Sequence, residues 1–360
     1  MTPARADILA RAAGLRARFE QAGAQVVETP ILQPAETLLD LYGEDIRARA
    51  YITSDALRGE QMLRPDFTVP VVQMHMADGA EPARYTYSGE VFRRQEDDLD
   101  RANEYIQVGY EVFDRADPAS ADAEVFALIH GALAGLNLRA ATGDIGILMA
   151  AVAGLETTEA RRAALMRHIW RPQRFRALLD RFGVATEPRE VLLTKDDPLA
   201  GSGPEIGLRS AGEVRARIEA LRDDAATPPI SGDQIASLEA LLAVREPLPG
   251  ALDKLGDISR TLPSIAPALE RFAARVDALR DHGLDVDALP FEASYGRASM
   301  EYYDGFVFGF YATDDANLPA VATGGRYDAL TRQLGQGAEI PAVGGVLRPG
   351  LMLRLEAEES

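Results

Sequence analysis

Five residues of this chain carry chemistry at strand spacing. Arg93 ends the stretch YTYSGEVFR, and Gln107 and Glu111 share one face of NEYIQVGYEVFD (103–114). Asp66 lies in the turn LRPDFT, and Tyr303 just precedes FVFGFY. An arginine presents a planar fork that matches a carboxylate or a phosphate. Glu111 and Asp66 can take up an ammonium, and Gln107 and Tyr303 can fix further polar groups. An α-amino acid carries both charges at the right separation. The same pattern also describes a solvated sheet face with an Arg–Glu cross-strand pair worth well under ~1 kcal/mol. Pattern alone favours that plainer reading.

Strands must position these residues. In NEYIQVGYEVFD, Ile106, Val108, Tyr110 and Val112 alternate toward one face, with Gln107, Gly109 and Glu111 on the other. The same period groups Tyr87, Gly89, Val91 and Arg93, and later Tyr303, Gly305, Val307 and Gly309, against Phe306, Phe308 and Phe310. Tyr302 is expected to face the core. Glycine weakens a strand, so its recurrence predicts close approach by a ligand or another backbone. The expectation is a glycine floor with a polar rim.

Around these strands a first helix is expected from Thr2 and Pro3 to Gly23, with Ile8, Leu15 and Phe19 at helical spacing. AQVVETPIL reads as a strand ending near Pro30. LRPDFTVPVVQMHMA reads as a turn and a helix capped by Thr68. From 156 to 284 Arg, Ala, Leu, Asp and Glu dominate, helical periodicity prevails and strands are scarce. After 284 strand texture returns. The fold class is α+β: one antiparallel sheet flanked by helices, assembled from residues 1–155 and 285–360, with a mainly helical insertion at 156–284.

The bulk of the chain narrows the function classes. Its 360 residues carry a formal charge of −18, which disfavours a nucleic-acid partner. There is no cysteine, and the four histidines lie far apart, so neither a metal nor another cofactor is expected. The glycine-rich GSGPEIG lacks the Gly-Lys-Ser/Thr ending of a phosphate-binding loop and reads as a plain loop. No stretch approaches ~20 apolar residues and the N-terminus is interrupted by charge, so a cytoplasmic protein is the expectation, with no membrane partner.

Taken in order, the segments resemble the histidyl-tRNA synthetase branch of the class II aminoacyl-tRNA synthetases. LRPDFT resembles that family's Leu-Arg-Pro-Glu-Gly-Thr turn. SGEVFRRQED with NEYIQVGYEVFD resembles its motif 2, and EYYDGFVFGFY and TGGRYDAL resemble the segments of its histidine-binding branch. VVETPIL resembles motif 1, which implies that Pro30 lies at a dimer interface. The likeness covers roughly 1–150 and 290–350. It implies a histidine site in which Arg93 clamps the carboxylate and Asp66, Thr68 and Glu111 surround the ammonium, with Gln107 beside them. Tyr303 and Tyr327 would meet the imidazole.

The departures from the family fall on ATP. Gln95 stands where motif 2 has a glutamate, Ala298 where the branch has an activating arginine, and Leu351 where motif 3 has one. Arg297 lies one residue out of register, and Arg348 and Arg354 lie near motif 3. The sequence also ends after motif 3, where the synthetases continue into an anticodon-binding domain. This combination resembles the paralogous regulatory subunits of ATP phosphoribosyltransferase. The resemblance implies no catalysis and feedback inhibition by histidine. It further implies partnership with a short catalytic subunit, as a hetero-octamer that contains homodimers of this chain. The competing reading is a truncated synthetase-like enzyme that adenylates an amino acid.

Overall fold

The computed structural model describes residues 3–36, 38, 50–94, 102–184, 196–201, 203, 206–297 and 302–359. The described residues form twelve strands: β1 (Gln25–Val26), β2 (Leu32–Pro34), β3 (Ile52–Asp55), β4 (Gly59–Leu63), β5 (Ala83–Phe92), β6 (Glu104–Phe113), β7 (Leu138–Asp144), β8 (Arg245–Pro247), β9 (Pro290–Glu292), β10 (Phe306–Ala312), β11 (Ala322–Arg326) and β12 (Ala342–Leu347). Nine of them build one sheet in the order β1-β5-β6-β12-β11-β10-β7-β9-β8, and β2-β4-β3 form a small second one. Pairing is antiparallel from β5 through to β7. The β1–β5 and β7–β9 pairs are parallel. Strands from both ends of the chain therefore meet in the middle of one sheet, β6 beside β12. The 156–284 stretch supplies one short edge strand, β8, which its helical texture conceals.

The α-helices among the described residues are α1 (Arg5–Gln21), α2 (Thr68–Asp78), α3 (Pro118–Ala132), α4 (Ile145–Ala153), α5 (Glu159–Arg167), α6 (Pro172–Phe182), α7 (Ala211–Ala226), α8 (Gly232–Leu242), α9 (Leu248–Ile258), α10 (Ala266–Asp281), α11 (Asp328–Leu334) and α12 (Pro349–Glu359). Their starts follow local hydrogen bonding. Ser210 and Glu213 form a reciprocal capping box on α7, and Asp117 caps α3 with Pro118 behind it. Two expected starts shift. Helix α1 begins at Arg5 with Ala4 as its cap, so Pro3 lies before the helix and Thr2 falls outside the described residues. Thr68 is the first residue of α2 rather than its cap, which is Phe67. None of the described helices is long and apolar enough to cross a membrane.

The sheet separates two cores. Ile106, Val108, Tyr110 and Val112 of β6 and Phe306, Phe308 and Phe310 of β10 pack under Leu15 and Phe19 of α1 and Phe126 of α3. The same cluster continues through Leu165, Phe175, Leu238, Leu255 and Phe272 of the helical stretch. The opposite face carries Tyr87, Phe113, Tyr303, Val307 and Tyr327, covered by Val69, Val71 and Val72 around α2. Pro30 is exposed between β1 and β2, followed by the exposed apolar pair Ile31 and Leu32.

One buried ionic chain crosses the first core. Arg275 of α10 donates to Asp122 of α3 at 3.2 Å and to Asp144 at 2.6 Å. Asp122 also accepts from Arg326 at 2.8 Å. The Arg275 guanidinium lies 4.5 Å over the Phe306 ring. Removing one partner of such a group strands the others in low dielectric. Arg275→Ala is therefore expected to lower stability by ~3 kcal/mol or more, read as a drop in the urea midpoint at unchanged m value. A loss below ~1 kcal/mol would show that water reaches Asp144 easily.

Candidate functional site

A buried carboxylate underlies the polar face. Glu111 is 1% exposed. Its Oε1 accepts from the Tyr87 hydroxyl at 2.7 Å and from Thr68 Oγ1 at 3.2 Å, and its Oε2 accepts from the Tyr327 hydroxyl at 2.5 Å. Burial pushes its carboxyl up to about 7; the three hydroxyls oppose that shift, and nearby Asp66 adds to it. The carboxylate fits only because Gly344 lies beside it: a Cβ there would stand 1.4 Å from Oε2.

Each hydroxyl is delivered by a different element. Tyr87 belongs to β5, paired directly with Gly109 of β6. Tyr327 is the residue just before α11. Thr68 comes from the LRPDFT turn, which Arg64 pins in place. Arg64 donates to the Glu90 carbonyl at 2.8 Å and to the Thr29 carbonyl at 2.5 Å, and its guanidinium lies 3.9 Å over the Phe67 ring. Phe67 in turn stacks on Tyr87 with ring centroids 4.3 Å apart. The turn thereby holds Asp66 and Thr68 over β6.

Above this layer lies a cleft lined by Asp66, Thr68, Arg93, Gln107 and Tyr303. These are five of the seven expected ligand residues. Glu111 and Tyr327, both buried, form the layer beneath. At the mouth, Arg93 Nε donates to the Pro65 carbonyl at 2.7 Å, and its guanidinium stands 3.7 Å from Asp66. Gln107 is 1% exposed, and its Oε1 has no hydrogen-bond partner among the described residues. A buried acceptor in that state suits a donor such as an ammonium. The cleft has a volume of about 360 Å³ counting its open mouth.

Two expectations about the cleft change. Tyr302 is buried in the core as expected, but in the same cluster as Tyr303 and not on the opposite side of the sheet, so both line the cleft with their rings 4.8 Å apart. Regular strand geometry begins only at Phe306, so period-2 logic does not reach residue 302. The glycines do not open a floor for a ligand. A Cβ on Gly109 would stand 2.1 Å from the Tyr87 ring, and one on Gly309 would stand 2.1 Å from the Tyr295 hydroxyl. They recess the sheet for the protein's own tyrosines, and the cleft floor is Gly344, Gly345 and Val346. Alternation along β11 and β12 could have located Thr323 and Val346, which pair with each other and line the cleft.

The arginines near the family's ATP positions divide. Arg297 turns away from the cleft, donating to the Ile169 carbonyl at 2.8 Å and lying 4.8 Å over the Phe175 ring. Arg348 lines the cleft and donates to the Ala320 carbonyl at 2.8 Å. Arg354 pairs with Glu358 on the surface of α12, and Leu351 of the same helix is half-buried. Gln95 and Ala298 lie outside the described residues. Among the described residues no cluster of His, Asp and Glu could hold a metal ion.

Residues 2–200 and 210–349 match the model of the family described as histidyl-tRNA synthetase. An ATP phosphoribosyltransferase regulatory subunit from Mesorhizobium japonicum is 33% identical over 358 residues, spanning 92% of this chain and 94% of that one. A protein of the same name from Agrobacterium fabrum is 33% identical over 342 residues, spanning 88% and 89%. Among solved structures, an ATP phosphoribosyltransferase regulatory subunit/histidyl-tRNA synthetase from Bacillus halodurans superposes with a TM-score of 0.69 at 20% identity, covering 97% of this chain and 79% of that one. Histidyl-tRNA synthetase from Nostoc superposes at 0.64 and 19% identity, covering 98% and 72%. These structural likenesses speak for the fold alone.

The buried carboxyl has a pH signature. Between an ordinary value of 4.5 and about 7, the folded chain holds a proton on Glu111 that the unfolded chain releases. This group therefore withdraws stability as pH rises through that window. Glu111→Gln, which cannot ionise, is expected to gain stability relative to the parent between about pH 5 and about pH 8, measured by urea unfolding of both proteins across the range. A difference that stays flat would mean that Glu111 titrates like a solvent-exposed acid.

Proposed function

The chain belongs to the histidyl-tRNA synthetase family and, within it, to the ATP phosphoribosyltransferase regulatory subunits, and from that membership we propose how its cleft works. It is a regulatory, non-catalytic subunit that partners a catalytic ATP phosphoribosyltransferase chain in the first step of histidine biosynthesis. The cleft takes L-histidine as the feedback signal. Arg93 receives the carboxylate, Asp66, Thr68 and Gln107 receive the ammonium, and Tyr303 flanks the side chain over the Glu111–Tyr327 layer. The observation that carries this reading is the buried Gln107 acceptor, without a partner among the described residues, beside Asp66 and Arg93 in one cleft. It offers both halves of an amino acid their complements.

The partner is a short-form catalytic chain, joined in a cytoplasmic hetero-octamer. Homodimers within it meet near Pro30, where Ile31 and Leu32 are 41% and 49% exposed. The adenylating alternative is not favoured. The relatives that match most of the chain carry the regulatory subunit's name, and Arg297, one residue out of register with the family's activating arginine, is engaged with Ile169 and Phe175 outside the cleft.

Arg93→Ala is expected to weaken L-histidine binding about tenfold or more in calorimetry, the scale of a lost charge-assisted contact. Unchanged affinity would overturn the assignment of the cleft. The purified parent chain is also expected to switch on a short catalytic subunit and to show no histidine-dependent pyrophosphate exchange. Detectable exchange would restore the adenylating reading.

A further inference from the structure

One carboxylate outside the cleft holds two of the elements that build it. Asp304 directly follows Tyr302 and Tyr303. Its two oxygens accept from the backbone N–H of Asp328 at 3.0 Å and of Ala329 at 2.6 Å. Those are the first two residues of α11, and Tyr327 immediately precedes them. The Asp304 N–H donates back to the Arg326 carbonyl at 3.1 Å. The 302–305 turn and the 326–329 turn are thus locked in register by three hydrogen bonds, two of them to a single side chain.

Both locked turns end in the cleft machinery. On one side the Tyr303 ring lies against Gly325, where a Cβ would come within 2.8 Å of it. On the other side the Tyr327 hydroxyl reaches Glu111, and the Tyr327 ring stands edge-on to Tyr302 at 6.2 Å. Arg326, next to Tyr327 in the chain, is committed to Asp122 and Asp328.

We propose that Asp304 is a positioning residue for the cleft, setting Tyr303 against its wall and Tyr327 against Glu111 through one carboxylate. The proposal rests on the amino-acid-sensing reading of that cleft and adds a residue that touches no ligand. Asp304 acts mainly through Tyr327, because a charge-assisted bond to a buried carboxylate is sensitive to small displacements. Its loss should therefore be coupled to that of the Tyr327 hydroxyl and not simply added to it.

The test uses the full chain with Asp304→Asn, Tyr327→Phe and the double variant. Without ligand, Asp304→Asn should speed amide exchange in the 326–334 segment about tenfold, on the scale of one weakened hydrogen bond. With L-histidine, each single variant should bind about tenfold more weakly, and the double variant about as weakly as Tyr327→Phe alone. Asp304→Glu keeps the charge but moves the carboxylate by one methylene. It is carried in parallel and should show the same coupling to Tyr327, so the proposal stays testable if Asp304→Asn does not fold. Unchanged exchange and affinity, or losses that multiply fully in the double variants, would overturn the proposal. If the parent chain binds no histidine, the sensing reading fails, and the exchange measurement alone decides whether Asp304 positions the Tyr327 turn.

Discussion

A carboxylate with almost no solvent contact must be surrounded by donors, and much of this cleft is explained by that demand on Glu111. Burying a charge without compensation is prohibitive. Three hydroxyls from three separate elements provide the compensation. Each then imposes its own requirement. Tyr87 needs an empty Cβ position at Gly109, and the carboxylate needs another at Gly344. Thr68 needs the turn that Arg64 ties to β2's approach and to β5. Tyr327 needs α11 set at the correct height, which the Asp304 contacts provide. The glycines, the turn and the small helix are consequences of one ionisable group. Glu111 and Asp304, at the two ends of the Tyr327 link, are both pushed up to about 7, chiefly by burial.

The other core is tied by charge as well. Asp122 receives Arg326 from β11 and Arg275 from α10, so one aspartate joins the strand beside the cleft to the helical 159–281 stretch. That stretch also shares a continuous apolar cluster with the sheet. Packed interiors of this density do not deform smoothly. A rearrangement of the 326–329 turn would therefore be felt at Arg275, since Arg326 contacts Asp122 and Asp328 at once. The physical link between cleft and helices is a set of named ion pairs, and double-mutant coupling across Asp122 measures its strength.

The sequence carried the sheet faces with little ambiguity because strand alternation is a hard geometric rule. Ile106 to Val112 and Phe306 to Phe310 fall in one core, and Gln107, Glu111 and Val307 face the other side. Alternation failed where the backbone is no longer a strand, as at Tyr302, and where a strand is too short to register, as at β8. Glycine spacing correctly marked close approach, but it could not say what approaches. Protein tyrosines do so at Gly109 and Gly309. Asp304 was invisible to pattern because its partners are backbone N–H groups 24 and 25 residues away. The resemblance to a known family, and not the pattern, brought Thr68 and Tyr327 into the site.

The charges at the cleft mouth bear on what such a site can do, because Arg93 and Asp66 stand 3.7 Å apart there. A ligand carboxylate competes with Asp66 for Arg93, and a ligand ammonium competes with Arg93 for Asp66. In the proposed reading, binding exchanges one internal ion pair for two intermolecular ones at the turn that carries Asp66. That turn also carries Thr68, a Glu111 donor. Occupancy thus differs from vacancy in the protein's own contacts, which is the requirement for a ligand to shift a conformational equilibrium. A differential of ~1–3 kcal/mol is enough for a regulatory response, and one charge-assisted hydrogen bond is of that order, ~1.5–3 kcal/mol.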